Sequence, residues 1–347
     1  MTDVLIVDPM QPEAEAIARA ADCLRAGGLV AFPTETVYGL GVNALDRAAV
    51  TRLFTAKGRP ATDPLIVHVT SVDAIAPLAA HISDDVRRLA ERFWPGPLTL
   101  VLKRSARIPD EVTAGLDTVA IRIPRHPVAR AILEAAAIPV AAPSANLFSR
   151  PSPTTAAHVL EDLDRRIDLI VDGGATTVGV ESTVLDMTGI VPTILRPGAV
   201  TREMLQDVLP RVDEHLGSLP AADAQRAPGM LEKHYSPRTP LTLYDGVHAV
   251  DLLINDARSA VASGKRVGLL VAPGDLEQDA ALARHCIVRE LGPASVDIAR
   301  GLYASLRELD AAALDAIFAR AFRDEGGLGG AIADRLRRAA AGRIVRG

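Results

Sequence analysis

The sequence has little cysteine and no long apolar run. Its two cysteines, Cys23 and Cys286, are too far apart in sequence for a Cys-x-x-Cys metal site and too few for a disulfide framework. No run reaches the roughly 18 apolar residues of a membrane-spanning helix. Asp3 and Asp8 stand where a signal peptide would need Lys or Arg and then apolar residues. We therefore expect a cytoplasmic protein that does not cross a membrane.

Aromatic residues are also scarce, at 3 %, and the net charge is −5. A chain of this kind is not expected to coat nucleic acid or to stack many bases. With 48 % hydrophobic and 23 % charged residues, the composition is that of a folded protein and excludes general disorder. At 347 residues, a length of roughly 150 residues per domain predicts about two domains.

Several common catalytic and nucleotide-binding motifs are missing. The sequence has no G-x-x-x-x-G-K-[ST] loop, and no G-x-G-x-x-G follows the first predicted strand. It also lacks the H-E-x-x-H motif of metalloproteases and the G-x-S-x-G motif of serine hydrolases. Any nucleotide site must therefore be built from other residues.

Alternating strand-like and helix-like runs predict an α/β fold with two domains. In residues 1–210 the alternation indicates a mixed sheet, with short apolar runs such as 29–32, 64–69 and 118–123 as strands. Residues 211–240 carry Pro and Gly with little periodicity and are interpreted as a linker. Residues 241–347 return to alternation and predict a smaller Rossmann-like domain with a parallel sheet.

The segment Lys57-Gly58-Arg59 is a candidate phosphate site. Arg forks onto phosphate oxygens, Lys acts as a point charge, and Gly lets the backbone approach. Only four of the 38 basic residues are Lys, so a Lys retained here favours that hypothesis modestly. The alternative is a solvated helix end, where the helix dipole favours cations.

Arg122 and His68 interrupt apolar strand patterns. A lone Arg in a buried strand is costly unless it is paired or faces a cavity, so Arg122 is a candidate to bind a carboxylate. A salt bridge at the strand end is an equal alternative. For His68, a hydrogen-bonded core histidine is the alternative to a ligand contact.

Polar residues beside Gly or Pro follow several predicted strands. They occur in 33–41 (PTETVYGLG), in 143–154 with Ser144, Ser149 and Ser152, in 179–183 (GVEST) and in 195–198 (LRPG). Hydroxyls beside small residues allow a ligand to approach closely. Each segment alone also fits an ordinary turn.

Taken together and in this order, the motifs resemble one family. FPTETVYGLG, KGRP…PLIVHV, WPGPLTLVL, AIRIP, APSAN…SPT, GVESTVLD and ILRPG are similar to the YrdC-type domain of L-threonylcarbamoyladenylate synthases, over about residues 10–200. The KHYSP motif at 233–237 and the C-terminal domain resemble the long, two-domain form of that family.

The resemblance implies a fold and a reaction. The fold would be a twisted open sheet around a deep cavity, as in dihydroxybutanone-phosphate synthase. L-threonine, bicarbonate and ATP, with Mg²⁺, would give threonylcarbamoyl-AMP and pyrophosphate. A separate transferase complex would then pass the threonylcarbamoyl group to tRNA.

The resemblance also implies roles for individual residues. Threonine would be bound by Thr36, His68, Arg122, Ala142 and Ser182. ATP would be bound by Lys57, Arg59, Asp63, Thr118, Ser144, Ser152, Arg196, His234 and Tyr235, with Lys57 and Arg59 as the catalytic pair. The metal ligands are not implied.

Two departures from the family pattern affect these roles. Asp63 stands where the family commonly has Asn, and its carboxylate would repel a triphosphate unless a cation intervenes, which leaves its backbone as the expected contact. Residues 149–150 are Ser-Arg where the family often has Ser-Gly.

His234 and Tyr235 would form a lid over ATP, or alternatively a plain tether between the two domains.

Two other functions remain as alternatives at this point. A concave surface lined by Lys57, Arg59, Arg122, Arg125 and Arg196 would suit a module that binds double-stranded RNA or tRNA. A carbamoyltransferase of hydrogenase maturation shares the domain type, but two distant cysteines do not supply its zinc fingers.

Overall fold

A computed structural model of the chain describes residues 1–215, 234–322 and 327–347. The chain divides into two compact units. The first comprises Met1–Phe148 and Ser152–Leu231, and the second comprises Ser149–Pro151 and Glu232–Gly347. Three residues of the second unit are thus flanked in sequence by the first.

The first unit is built on an eleven-stranded mixed sheet. Its strands are β1 (Asp3–Ile6), β2 (Val30–Pro33), β3 (Tyr38–Asn43), β4 (Ile66–His68), β5 (Leu98–Lys103), β6 (Thr118–Arg122), β7 (Val140–Ala141), β8 (Leu169–Asp172), β9 (Thr183–Asp186), β10 (Thr193–Arg196) and β11 (Asp213–Glu214). Their order across the sheet is β1-β8-β2-β3-β7-β4-β6-β5-β9-β10-β11. Parallel pairs such as β4–β6 and β5–β9 alternate with antiparallel ones such as β5–β6. The predicted α/β fold with a mixed sheet is confirmed.

Strand β3 was not among the predicted strands. Its sequence, YGLGVN, contains Gly39 and Gly41, and glycine has a low strand propensity. The glycines are needed because neighbouring strands pack closely here. A Cβ on Gly41 would lie 2.6 Å from the ring of Phe32 and 3.0 Å from Val140.

Helices cover the sheet of the first unit: α1 (Ala14–Arg25), α2 (Arg47–Lys57), α3 (Asp84–Phe93), α4 (Asp110–Thr113), α5 (Pro127–Ala136), α6 (Ala156–Leu163) and α7 (Arg202–Gln206), with a 3₁₀ turn at Asp73–Ile75. The start and the end of α2 are both specified by the sequence. The Asp46 side chain accepts hydrogen bonds from Ala48 N and Ala49 N, and Gly58 ends the helix in the left-handed region at φ 63°. These two signals place Lys57 at the last position of the helix.

The second unit contains a five-stranded, wholly parallel sheet. Its strands are β12 (Leu241–Asp245), β13 (Val267–Val271), β14 (Cys286–Glu290), β15 (Ala316–Arg320) and β16 (Ile344–Arg346), and its helices are α8 (Ala249–Ala262), α9 (Ala280–Ala283), α10 (Ser295–Ala311) and α11 (Gly329–Ala340), with a 3₁₀ turn at Glu277–Asp279. The order is β14-β13-β15-β12-β16. The parallel sheet agrees with the predicted smaller α/β domain. In dinucleotide-binding folds the first strand lies beside the second, whereas here β15 separates β12 from β13.

The predicted linker, residues 211–240, is only partly described. Asp213–Glu214 form the edge strand β11, which pairs with β10. Residues 216–233, including Lys233 of the KHYSP motif, lie outside the described residues. His234 and the residues that follow it belong to the second unit.

The described residues contain no helix with both the length and the apolar character needed to cross a membrane. Cys23 and Cys286 are both free thiols.

Candidate active site

Two parallel strands place Arg122 and His68 side by side. Arg122 is the last residue of β6 and His68 the last of β4, and the two are paired in register. Both side chains are buried, with 4 % of Arg122 and 2 % of His68 exposed. The register of these two apolar strands therefore places Arg122 and His68 next to each other at the strand ends.

Arg122 is held by the PTET turn and by a backbone carbonyl. Its Nη2 lies 2.7 Å from Glu35 Oε1 in a buried ion pair. Its Nη1 donates to Thr36 Oγ1 at 2.9 Å, and its Nε donates to the carbonyl of Gly96 at 3.2 Å. The sequence analysis gave a salt bridge of Arg122 as the alternative to a ligand contact. That salt bridge is present, and it is buried within the first unit.

This group also carries unused hydrogen-bonding capacity. Arg122 Nη2, Glu35 Oε1 and His68 Nδ1 are buried and have no hydrogen-bond partner, because the close Arg122–Glu35 approach lacks hydrogen-bond geometry. Buried polar atoms usually have partners, so an ion pair without hydrogen-bond geometry beside the unpartnered His68 Nδ1 indicates a place for a polar ligand. The alternative of a fully hydrogen-bonded core histidine at 68 is not what the structure contains.

The charge states in this cluster follow from burial and from Arg122. Burial, with Arg122 nearby, lowers the pKa of His68 from 6.5 to about 3, so the ring is neutral at physiological pH. Burial acts to raise the pKa of Glu35, but opposing effects, of which the positive charge of Arg122 is the largest, hold that pKa below its usual value. The cluster thus pairs one anion and one cation beside a neutral imidazole.

A second cluster gathers three buried cations around Asp63. Arg59 Nη2 lies 3.0 Å from Asp63 Oδ1, and both side chains are almost fully buried. Lys57 and Arg196 also act electrostatically on Asp63, whose pKa is nevertheless raised because burial is the larger effect. The sequence analysis expected a cation beside Asp63 if a triphosphate is to bind nearby, and Arg59 is such a cation. Three buried cations thus lie within electrostatic reach of one carboxylate.

Lys57 is not a solvated helix end. Only 1 % of the residue is exposed, and its Nζ donates to the backbone carbonyls of Ser144 and Asn146. Among the described lysines, Lys103 and Lys265 are exposed. The Lys that the composition singled out is thus the buried one, and it joins the KGR segment to the PSAN segment.

Ser182 connects the two clusters. Arg196 Nη2 donates to the Ser182 carbonyl at 3.1 Å and lies 3.2 Å from Ser182 Oγ, which in turn is 2.8 Å from Thr99 Oγ1. The next amide, Thr183 N, donates to the carbonyl of Pro97, which follows the Gly96 that Arg122 contacts. Arg196, Ser182 and Arg122 are therefore linked in one network of side-chain and backbone groups.

The remaining predicted residues differ in how closely they join this network. Ser152 Oγ donates to Glu181, the neighbour of Ser182. Ala142 is buried, and its Cβ would lie 3.4 Å from one on Gly39. Thr118 begins β6, four residues from Arg122, and pairs with Lys103. Its role stays a prediction.

His234 and Tyr235 lie in the second unit, where both are buried. The Tyr235 ring packs 5.6 Å from the ring of Tyr303 and 5.3 Å from the guanidinium of Arg335. These packing contacts do not test whether His234 and Tyr235 bind ATP, and that role stays a prediction.

Glu35 and Thr99 take part in the network although the sequence analysis did not select them. Glu35 lies within the PTET motif, so the sequence shows a carboxylate at this turn. The sequence does not show that the turn brings Glu35 to Arg122. Thr99 stands alone within an apolar strand, a signal of the same kind as Arg122.

No three His, Cys, Asp or Glu side chains within the described ranges are grouped as metal ligands. Asp63, the carboxylate on which these cations act, is paired with Arg59. The described residues therefore do not form a cage for a metal ion.

Comparison with known families decides the classification. The family described as "Telomere recombination" matches residues 22–198, and the family described as "Threonylcarbamoyl-AMP synthase, C-terminal domain" matches residues 200–341. A threonylcarbamoyl-AMP synthase of Pyrococcus abyssi is 44 % identical over 94 % of each chain. The chain belongs to the threonylcarbamoyl-AMP synthase family. The family predicted from the motifs is confirmed.

Other relatives agree over the full length. A threonylcarbamoyl-AMP synthase of Bacillus subtilis is 42 % identical over 98 % of this chain and 97 % of its own. The crystal structure of the P. abyssi protein complexed with L-threonine superposes with a TM-score of 0.92 at 41 % identity, and the match covers both chains fully. The two-domain form of the threonylcarbamoyl-AMP synthase family therefore describes the whole chain.

The RNA-binding alternative is disfavoured by burial. Lys57, Arg59, Arg122 and Arg196 are each at most 7 % exposed, and only Arg125 of the proposed basic surface is exposed. Buried cations cannot reach the phosphates of a duplex, which is the main source of affinity for nucleic acid.

Gly198 allows the ILRPG segment to approach the Ser182 loop. A Cβ at this position would lie 2.3 Å from Thr183 N and 2.6 Å from the Ser182 carbonyl carbon, both backbone atoms that cannot move aside cheaply. We expect Gly198→Ala to lower the free energy of unfolding by about 1–3 kcal/mol. Urea unfolding followed by the fluorescence of Trp94, the single tryptophan, measures this in the first unit. Gly189→Ala is the control, because its nearest neighbour would be 3.6 Å away. Equal effects of the two changes would contradict this account.

The neutral state of His68 predicts a pH dependence of stability. Between about pH 6.5 and its folded-state pKa of about 3, the unfolded chain binds a proton at His68 that the folded chain does not. Stability is therefore lost as the pH falls through this window. As the pH decreases, the free energy of unfolding should fall less steeply in His68→Gln than in wild type. The two slopes should differ by up to about 1.4 kcal/mol per pH unit. Trp94 fluorescence in urea between about pH 7 and about pH 5 measures it, with exposed His81→Gln as the control. Parallel curves for wild type and His68→Gln would rule out a buried neutral His68.

Proposed function

We propose that this protein makes L-threonylcarbamoyl-AMP from L-threonine, bicarbonate and ATP, with release of pyrophosphate. The observation that carries the proposal is the buried group of Arg122, Glu35 and His68 with its unsatisfied hydrogen-bonding atoms. It adjoins, through Ser182, a cluster that contains three buried cations. An amino acid fits the first cluster and a triphosphate the second.

The first cluster is complementary to a zwitterion. Arg122 Nη2 is placed to donate to the threonine carboxylate, as charge-assisted pairs of this kind are strong. Glu35 Oε1 and the acceptor nitrogen of neutral His68 suit the ammonium or hydroxyl group of the same molecule. Thr36 and Ser182 add hydroxyls, and Ala142 leaves room. The threonine complex of the P. abyssi relative supports this choice of amino acid.

The second cluster suits the phosphates of ATP. Lys57, Arg59 and Arg196 are buried cations gathered around Asp63, and cations of this kind bind phosphate oxygens strongly. The Ser144 carbonyl accepts from Lys57 of this cluster, and the Ser152 hydroxyl donates to Glu181, the residue before Ser182. The assignment of Thr118, Asp63, His234 and Tyr235 to ATP rests on the family pattern.

The reaction follows as two steps. The amine of threonine and bicarbonate form a carbamate and release water. A carbamate oxygen then attacks the α-phosphorus of ATP, and the bond to the β-phosphate breaks as pyrophosphate leaves. Neither step needs a protein nucleophile, so positioning and electrostatic stabilisation carry the catalysis. Lys57 and Arg59 would offset the negative charge on the phosphates.

Mg²⁺ would enter with ATP. Mg²⁺ in nucleotide sites is commonly held by phosphates and water with few protein ligands, which agrees with the lack of a carboxylate cage among the described residues. No step is assigned to the metal here.

The later steps are proposed from family membership. The product would pass to a separate transferase complex that modifies tRNA in the cytoplasm. His234 and Tyr235 would act as a lid over ATP, since lids commonly exclude water from such sites, and the carbamate is labile in water.

One assay tests the proposed function directly. The protein is incubated with ATP, Mg²⁺, labelled bicarbonate and one amino acid at a time. We expect an acid-labile labelled adenylate and pyrophosphate with threonine only. Formation with serine at an equal rate, or no labelled adenylate, would refute the proposal.

Variants separate the two halves of the site. Lys57→Ala and Arg59→Ala should depress pyrophosphate release at least as strongly as Arg122→Ala weakens threonine binding. Loss of a charged hydrogen bond is worth about 1.5–3 kcal/mol, which corresponds to roughly 10- to 100-fold. Steady-state kinetics measure both effects.

Two further variants serve as controls for these measurements. Arg87→Ala changes an exposed Arg of α3 and should change neither parameter. The double variant Glu35→Gln, Arg122→Gln avoids leaving a buried charge unpaired, and it should bind threonine as poorly as Arg122→Ala. Near-normal turnover in Lys57→Ala would refute the phosphate role.

A further inference from the structure

The three residues Ser149–Pro151 belong to the second unit, although Phe148 and Ser152 on either side belong to the first. They form the middle of the segment that runs from Ser144 to Ser152. Both ends of that segment are assigned to ATP in the proposed function. Whatever holds Ser149–Pro151 therefore also limits where the two serines can lie.

Asp310 of α10 is one of the residues that hold this segment. Its carboxylate is 1 % exposed and lies 3.3 Å from Arg150 Nη2. It also accepts from Arg238 Nε at 3.1 Å and from the amide of Thr239 at 2.8 Å. Desolvation opposes ionisation, but the Thr239 amide and Arg238 hold the pKa of Asp310 below its usual value. A buried, ionised carboxylate with three donors is a rigid anchor.

Two further contacts grip the backbone of the segment. Arg307, 3 % exposed and also on α10, donates through Nη2 to the Pro151 carbonyl at 2.6 Å. The amide of Ser236 donates to the Ser149 carbonyl at 2.7 Å. All of these contacts lie within the second unit. Ser236 is part of the KHYSP motif, which thereby gains a structural role that does not depend on a lid.

The segment needs this support because of its backbone conformation. Ser149 has φ 68°, in the left-handed region that residues with a side chain rarely adopt. Such a conformation persists only when its surroundings hold it. The departure from the family pattern at residue 150 thus has a structural role, since Arg150, in place of a glycine, contributes the side chain that Asp310 binds.

We propose that Asp310 and Arg307 are positioning residues for ATP. They hold Ser149–Pro151 so that Ser144 and Ser152 are already placed when the nucleotide arrives. The inference rests on the proposed function, in which Ser144 and Ser152 bind ATP. Preorganisation of this kind removes the entropic cost of ordering a loop at the moment of binding. The two residues do not touch the reacting atoms.

The test compares Asp310→Asn with a matched control, Asp275→Asn, in the full-length protein. Asp275 also accepts from an Arg, Arg320, at 2.7 Å and from a backbone amide, Ala272 N, at 2.8 Å, but it has no contact with the segment. We expect Asp310→Asn to raise the KM for ATP about 10-fold and to leave the KM for threonine unchanged. Asp275→Asn should change neither.

Hydrogen–deuterium exchange supplies a readout that does not depend on activity. Peptides covering residues 144–155 should exchange faster in Asp310→Asn than in wild type or Asp275→Asn. Unchanged exchange, or a parallel rise in both KM values, would overturn the proposal. If wild type forms no threonylcarbamoyl-AMP, the proposed function fails, and ATP affinity by calorimetry then replaces KM in the same comparison.

Arg307 variants cover the case in which Asp310→Asn does not fold. Arg307→Met removes the donor to Pro151, whereas Arg307→Lys keeps a cationic donor there. We expect Arg307→Met to raise the KM for ATP and to speed exchange of the segment, and Arg307→Lys to restore part of both. Identical behaviour of Met and Lys variants would show that packing alone is responsible and would overturn the proposal.

Discussion

Positive charge buried in the first unit is the constraint on which the site depends. Removing a guanidinium or an ammonium from water is expensive unless partners replace the water. Arg122 obtains Glu35, Thr36 and a carbonyl, whereas Lys57 obtains carbonyls. These requirements bring turns from distant parts of the chain together. They also gather buried cations in one part of the unit, which is the property that an anionic substrate needs.

Much of the site could be predicted because a polar residue in an apolar strand has few explanations. Arg122 and His68 were conspicuous for this reason, and the structure places them in register. Lys57 was conspicuous because lysine is rare in this chain. Glu35 could not be selected in the same way, since a carboxylate within a Thr-rich turn is unremarkable until its buried partner is known.

Other features of the structure depend on contacts between segments that are distant in sequence, and such contacts cannot be predicted from a single sequence. The glycine-rich strand β3 resembled a turn because its close neighbours were unknown. The placement of Ser149–Pro151 in the second unit depends on Asp310 and Arg307, far along the chain. By contrast, the start of α2 and its end rest on local signals at Asp46 and Gly58, which is why they can be read directly.

The strand order of the second unit has a consequence for how it forms during synthesis. β12 emerges first from the ribosome, but both of its neighbours, β15 and β16, are made last. Until then β12 has no pairing partner within its own sheet, while β13 and β14 can already associate. Long-range pairing is slow and leaves strand edges exposed. The second unit can therefore complete its sheet only when almost the whole chain has been translated.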